Sequence, residues 1–261
     1  MKDYTLFTTD LAYKAGEIIR NNFTLGMKKK IKEKDTSPVT VFDTAINEMV
    51  IEAIHKEYPL HSIIGEEDSR KSESEYVWFC DPIDGTIPFT SGLPVSTFSL
   101  ALTKNATPIL GAIYDPFMDR MFVAEKGKGA FVNKKKITIS KDIGIIGQPL
   151  YTGWWKHSVY DLGVLRRTLS NQGACIMDFN SFSYAGALVA AGEFSALIYP
   201  DHFRWDVAAI QVLVEEAGGT CTDFKGNSPR YDQEIDGFIA SNGRFHDELL
   251  DLIKKLAIKI N

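Results

Sequence analysis

Trp78-Phe79-Cys80-Asp81-Pro82-Ile83-Asp84-Gly85-Thr86 is the stretch on which the reading of this chain turns. The run from Tyr76 to Cys80 is apolar and predicts a short buried strand. It delivers Asp81 and Asp84 into a turn, so two hard oxygen ligands arrive at a sheet edge where the chain is free to wrap a cation. Carboxylates that close repel each other unless a cation sits between them. Gly85 lets the backbone approach a bound group, and the N–H groups after it can face an anion. Carboxylates for a cation beside amides for an anion predict a metal–phosphate site.

Upstream, Leu6, Leu11, Ala15, Ile18, Ile19 and Phe23 recur at helical spacing and predict an amphipathic helix. Residues 28–38 are polar and read as a loop or hairpin. Asp43 reads as the N-cap of a second helix that Pro59 closes. Ser62-Ile63-Ile64 reads as a strand entering the acidic turn Gly65-Glu66-Glu67-Asp68. Downstream, residues 95–103, 109–115, 121–124, 131–132 and 137–139 predict an antiparallel meander. In the second half, strands at 145–151, 195–199, 220–223 and 237–240 alternate with helices at 162–169, 183–191, 207–217 and 245–258. That alternation predicts a layered α/β lobe. The expected division is an N-terminal α+β lobe, residues 1–144, and a C-terminal α/β lobe, residues 145–261, packed as one unit.

At 261 residues and 44% apolar composition, the chain can bury a substantial core. A net charge of −5 gives a field that does not favour nucleic acid. The basic run Lys28, Lys29, Lys30, Lys32 and Lys34 reads as a solvated segment that could also draw a phosphorylated substrate. No apolar run approaches the ~18 residues that span a bilayer. Met1-Lys2-Asp3-Tyr4 lacks a signal pattern, and Cys80, Cys175 and Cys221 are too widely spaced for a metal motif. A cytoplasmic protein with reduced thiols and no membrane partner is the expectation.

Four acidic sites stand out: Asp43, Glu66-Glu67, Asp81 with Asp84, and Asp206 in Trp205-Asp206. Singly, Asp43 or Asp206 reads as a helix cap and Glu66-Glu67-Asp68 as an exposed turn. Together, in this order and spacing, they resemble the inositol monophosphatase superfamily of magnesium-dependent, lithium-sensitive phosphatases. Ser37-Pro38-Val39-Thr40-Val41-Phe42-Asp43, Gly127-Lys128-Gly129-Ala130-Phe131 and Glu216-Ala217-Gly218-Gly219 are similar to further stretches of that family. The resemblance implies a five-layered αβαβα sandwich, a homodimer, two or three Mg²⁺ ions and inhibition by lithium. By position, it implies that Glu66, Asp81 and the carbonyl of Ile83 hold one ion. Asp81, Asp84 and Asp206 would hold a second, and Glu66 would help with a weaker third. It also implies that Glu67 supports the ligands, that Asp43 and Thr86 activate the attacking water, and that the Gly85 and Thr86 amides hold the phosphate.

The implied reaction is hydrolysis of a small phosphorylated metabolite by metal-activated water, with inositol monophosphate as the leading substrate. Histidinol phosphate, fructose 1,6-bisphosphate and 3′(2′),5′-bisphosphate nucleotides are the alternatives. A member that binds metal and anion without turnover is the reading from another class. On the substrate side the chain departs from the inositol enzymes. Asn180-Ser181-Phe182-Ser183 stands where Gly-Ser/Thr-Ala-Ala is usual, and Tyr199 replaces a glutamate that reaches inositol hydroxyls. Lys34-Asp35-Thr36-Ser37-Pro38-Val39-Thr40, Phe79-Cys80-Asp81 and Ser241-Asn242-Gly243 look like the histidinol-phosphate phosphatase branch. Ser181, Tyr199 and Arg204 read as substrate-side residues, Arg204 as a partner for a second phosphate or a carboxylate. Trp154-Trp155-Lys156-His157 reads as a pocket mouth, a subunit interface or simple packing. A haloacid-dehalogenase-like mechanism is set aside, because its nucleophile lies two residues before the second aspartate and residue 82 is proline.

Overall fold

The computed structural model describes residues 3–32, 37–155 and 157–260. Lys34, Asp35, Thr36 and Lys156 of the motifs above lie outside the described residues. Among the described residues are seven helices: α1 (Tyr4–Asn22), α2 (Val41–Glu57), α3 (Thr86–Ser91), α4 (Gly163–Asn171), α5 (Phe182–Ala190), α6 (Arg204–Glu216) and α7 (His246–Leu256). An eight-stranded sheet runs in spatial order Lys135–Lys136, Gly129–Val132, Arg120–Glu125, Thr107–Asp115, Thr97–Lys104, Tyr76–Asp84, Ser62–Gly65, Ser69–Arg70. A five-stranded sheet runs Cys175–Met177, Pro149–Thr152, Ala196–Tyr199, Phe238–Ser241, Thr220–Thr222.

Strand alternation sorts the apolar residues into three cores, and these make the five layers. Trp78, Cys80, Leu100 and Leu102 face α1 and α2, where they meet Ile19 and Val50. Their neighbours Phe79 and Ala101 face the opposite way, onto α5 and α6. In the second sheet Leu197 and Tyr199 face α5 and α6, while Leu150, Ile198 and Ile239 face α4 and α7 through Leu165 and Leu249. Helices α5 and α6 are thus covered by a sheet on each side, which is why α5 and the Val207–Val214 stretch of α6 are apolar nearly all round. The order α1/α2, sheet, α5/α6, sheet, α4/α7 is the expected αβαβα sandwich.

Two glycine motifs fix this stack. Glu216, at the end of α6, accepts the amides of Gly127 and Gly129, each at 2.7 Å, and so ties the helix to the turn that ends the Arg120–Glu125 strand. Gly111 lies where α6 crosses the sheet: a Cβ there would stand 2.7 Å from the Ala209 carbonyl oxygen and 2.9 Å from its Cα. Backbone cannot move aside as a side chain can.

Several local expectations are corrected. Asp43 is not the N-cap of α2; Thr40 is, and Asp43 is the third residue of a capping box. Residues 137–139 are not a strand, since Ile137 and Ile139 carry the chain from Ala130 to Ala217 and leave the first sheet. Helix α6 begins at Arg204, three residues before the expected start, which places Asp206 in its first turn. Gly111→Ala is expected to destabilise the protein by about 1–3 kcal/mol, read as a lower urea midpoint with an unchanged slope. An unchanged midpoint would mean that α6 does not rest on the sheet at this point.

Candidate active site

Chain segments far apart in sequence meet at one cavity of about 390 Å³. Glu66, Asp81, Ile83, Asp84, Gly85, Thr86, Tyr199 and Asp206 all line it. Asp81 and Asp84 arrive at the end of the Tyr76–Asp84 strand, where the pairing register shifts between them and the regular ladder breaks. Gly85 then takes a left-handed conformation, φ 86° and ψ 48°, to open α3. A side chain there would press on Asn180 and Ser181, so glycine is required for space as well as for φ.

Asp43, Asp84 and Asp206 are gripped by donors from the fold. Asp43 is wholly buried; its Oδ2 accepts from the Thr40 amide at 2.8 Å and the Thr40 hydroxyl at 2.5 Å. Its Oδ1 lies 3.2 Å from the Thr86 hydroxyl, which is also 3.1 Å from the Ile83 carbonyl. One hydroxyl proton cannot serve both acceptors at once, so Thr86 can turn between them. Burial pushes the Asp43 carboxyl up to about 6, against the pull of Thr40. Asp84 accepts from the Ser181 hydroxyl at 2.5 Å and from the Phe182 and Ser183 amides at 3.2 and 2.8 Å. Those amides open α5, so a carboxylate from the first sheet caps a helix of the second half. Asp206, in the first turn of α6, accepts from the Tyr199 hydroxyl at 2.5 Å.

Asp81 is the exception. It is 3% exposed, and its Oδ1 is buried with no hydrogen-bond partner among the described residues. Burial, together with the charges of Glu66, Asp84 and Asp206, holds its carboxyl well above the usual range. Asp206 is likewise raised, by burial and by Asp84. An orphaned buried oxygen among mutually repelling carboxylates suits a divalent cation with oxygen preference. The cage is not ready-made: no group of three or more His, Cys, Asp or Glu among the described residues is arranged as a metal site. The Lys32 ammonium sits 2.6 Å from both Glu66 and Glu67. Burial pushes the Glu67 carboxyl up to about 7, with Glu66 adding to the effect.

The residues expected on the substrate side are tied to other groups of the fold, although Tyr199 also lines the cavity. Ser181 pins Asp84, and Tyr199 pins Asp206. Arg204 is absent from the cavity lining; it donates to the Tyr231 carbonyl at 3.1 Å and lies over the Phe79 ring. Trp154 and Trp155 do line the cavity, as does Lys32. Thr40, Ser183 and Lys32 were missed as site residues, although the Thr-x-x-Asp spacing of a capping box was present to flag Thr40.

Residues 1–257 match the family described as "Inositol monophosphatase family". The chain is 32% identical to the fructose-1,6-bisphosphatase/inositol-1-monophosphatase of Aquifex aeolicus, over 98% of this chain and 97% of that one. It is also 32% identical to inositol monophosphatase 1 of Mus musculus, over 96% of this chain and 91% of that one. Among solved structures, the inositol monophosphatase of Thermotoga maritima superimposes with a TM-score of 0.86 at 29% identity, covering 96% of each chain. The fold and the family match thus place the chain in a class of α/β phosphatases that is generally metal-dependent. The chain belongs to the inositol monophosphatase family.

Asp81→Asn tests whether repulsion among these groups is real. In chelator, the variant is expected to melt higher than the parent, by roughly 2–4 °C for each kcal/mol of repulsion relieved. In Mg²⁺ the parent gains stability and the variant does not. A variant that melts lower in chelator and still gains with Mg²⁺ would contradict the role given to Asp81.

Proposed function

We propose that the protein is a Mg²⁺-dependent phosphomonoesterase that hydrolyses a small phosphorylated metabolite by direct attack of water, with no phosphoenzyme. One observation carries the reading: the Thr86 hydroxyl stands between Asp43 and the Ile83 carbonyl, and Thr86 lines the same cavity as Asp81, Asp84 and Asp206. Asp81, Asp84, Asp206, Glu66 and the Ile83 carbonyl would hold the ions, whose chemistry is to make a nearby water more acidic and to neutralise charge on the phosphoryl group. Thr86 accepts the proton of the attacking water while its own passes to Asp43. Amides at the start of α3, those of Gly85 and Thr86, orient the phosphate oxygens. Asp84 and Asp206 keep their geometry because Ser181 and the Phe182 and Ser183 amides hold the one and Tyr199 the other.

The name of one relative makes inositol 1-phosphate and fructose 1,6-bisphosphate the reference substrates, and we extend to this chain the homodimer and the lithium sensitivity that the resemblance implies. A second reading, metal and anion binding without turnover, is favoured by the Lys32 ammonium on Glu66 and Glu67. Rapid-quench assays separate the two. With Mg²⁺, phosphate release from inositol 1-phosphate or glycerol 2-phosphate is expected without acid-stable labelling of the protein. Thr86→Ala lowers kcat by about 10²–10⁴-fold. Absence of release above the Asp81→Asn background would favour the binding-only reading, and a labelled aspartate would overturn direct attack.

A further inference from the structure

Ser96 is completely buried and stands outside the cavity lining, yet its hydroxyl grips the turn on which the site depends. It donates to the Gly85 carbonyl at 2.7 Å. Strand pairing brings the two together. After the register shift in the Tyr76–Asp84 strand, Asp84 stands opposite Thr97. Antiparallel pairing then runs Gly85 towards Ser96. Thr97 adds a longer contact, its hydroxyl 3.4 Å from Asp84 Oδ2. Two neighbouring hydroxyls at the start of one strand thus reach back to two consecutive residues of the turn.

Gly85 needs such a hold. Glycine is required there by its left-handed conformation and by the crowding of Asn180 and Ser181. It is also the residue whose flanking peptides turn most freely. The peptide that joins it to Thr86 is trans, so its C=O and N–H point in opposite directions. Rotation of that peptide would swing the Thr86 backbone. With it would go the hydroxyl that stands 3.2 Å from Asp43 and 3.1 Å from the Ile83 carbonyl. The Gly85 carbonyl also accepts from the Phe89 amide at 3.0 Å, the first bond of α3. A helix of six residues is too short to hold its own start in place. With Ser96 added, both lone pairs of the carbonyl are used. A rotated peptide would take this acceptor from Phe89 and Ser96 together, both completely buried.

We propose that Ser96 is a positioning residue for the reaction: its hydroxyl locks the Gly85–Thr86 peptide and so keeps the Thr86 hydroxyl between Asp43 and the Ile83 carbonyl. Ser96 touches neither substrate nor ion and acts through Thr86. The inference rests on the phosphomonoesterase reading, in which Thr86 takes the proton of the attacking water, and adds to it the group that holds Thr86 in place.

Matched substitutions at this position test it, with inositol 1-phosphate and glycerol 2-phosphate as the esters and Mg²⁺ present. Threonine and valine have nearly the same shape and differ in the hydroxyl. Ser96→Val is expected to show a kcat about tenfold below that of Ser96→Thr, and Ser96→Ala, which adds no bulk, to fall by a similar factor from the parent. The half-saturating Mg²⁺ concentration stays the same in the threonine and valine variants. In a Thr86→Ala background the threonine-to-valine exchange changes kcat less than twofold, because no hydroxyl remains to be placed. Equal kcat in the threonine and valine variants, or a valine loss that persists undiminished without the Thr86 hydroxyl, would overturn the proposal and leave the phosphomonoesterase reading standing. Hydrolysis of neither ester by the parent would instead sink that reading, and this inference with it.

Discussion

Carboxylates that repel one another are buried in one cavity and, for Asp43, beside it behind Thr86, and the rest of the structure is arranged to tolerate that. Asp43, Asp81 and Asp84 are all but inaccessible, and Asp206 is half-buried beside them. Burying an unpaired charge is among the most unfavourable things a fold can do. Three of the four are compensated by protein donors: a capping box for Asp43, the opening turn of α5 for Asp84, and the Tyr199 hydroxyl for Asp206. Glu66 and Glu67 share Lys32. Of these four, Asp81 is the one left with a bare oxygen among the described residues, and that imbalance is what a divalent cation would correct.

The same constraint explains why the two sheets belong to one body. Asp84 comes from the eight-stranded sheet, and three of its donors come from the start of α5, 97 to 99 residues later. Gly111 lets α6 settle on that sheet, and Glu216 fastens its far end. Asp206 rides on the near end of the same helix. Displacement of α6 would therefore separate Asp206 from Asp81, so stability of the middle layer and integrity of the site are coupled.

Much of this was legible from residues alone. The meander could be read because strand alternation and its Asn, Gly and Asp-Pro turns agree with each other. Asp81 and Asp84 were recognisable because they follow a buried run and precede Gly85, whereas Asp43, Glu66 and Asp206 were placed with them only by the resemblance to the family. What could not be read depends on docking. Helix α3 is six residues long and contains Pro88, so no period announces it. The Cys175–Met177 strand lies at a sheet edge and is largely exposed, so it lacks an apolar signature. The work of Ser181 and Tyr199 is set by which carboxylate each meets across the cavity, and no local pattern encodes that. Arg204 illustrates the converse: its position next to Trp205-Asp206 suggested the substrate, yet the helical turn aims it at Tyr231 and Phe79.

The central claim is that Glu66, Asp81, Asp84 and Asp206 gather about shared cations. Diffraction from crystals soaked in Mn²⁺, recorded at its absorption edge, tests it most directly. The account predicts anomalous peaks within about 2–2.5 Å of carboxylate oxygens of Asp81, Asp84 and Asp206, with Glu66 released from Lys32. Peaks elsewhere on the surface, with Asp81 still unligated and Lys32 still on Glu66, would contradict it.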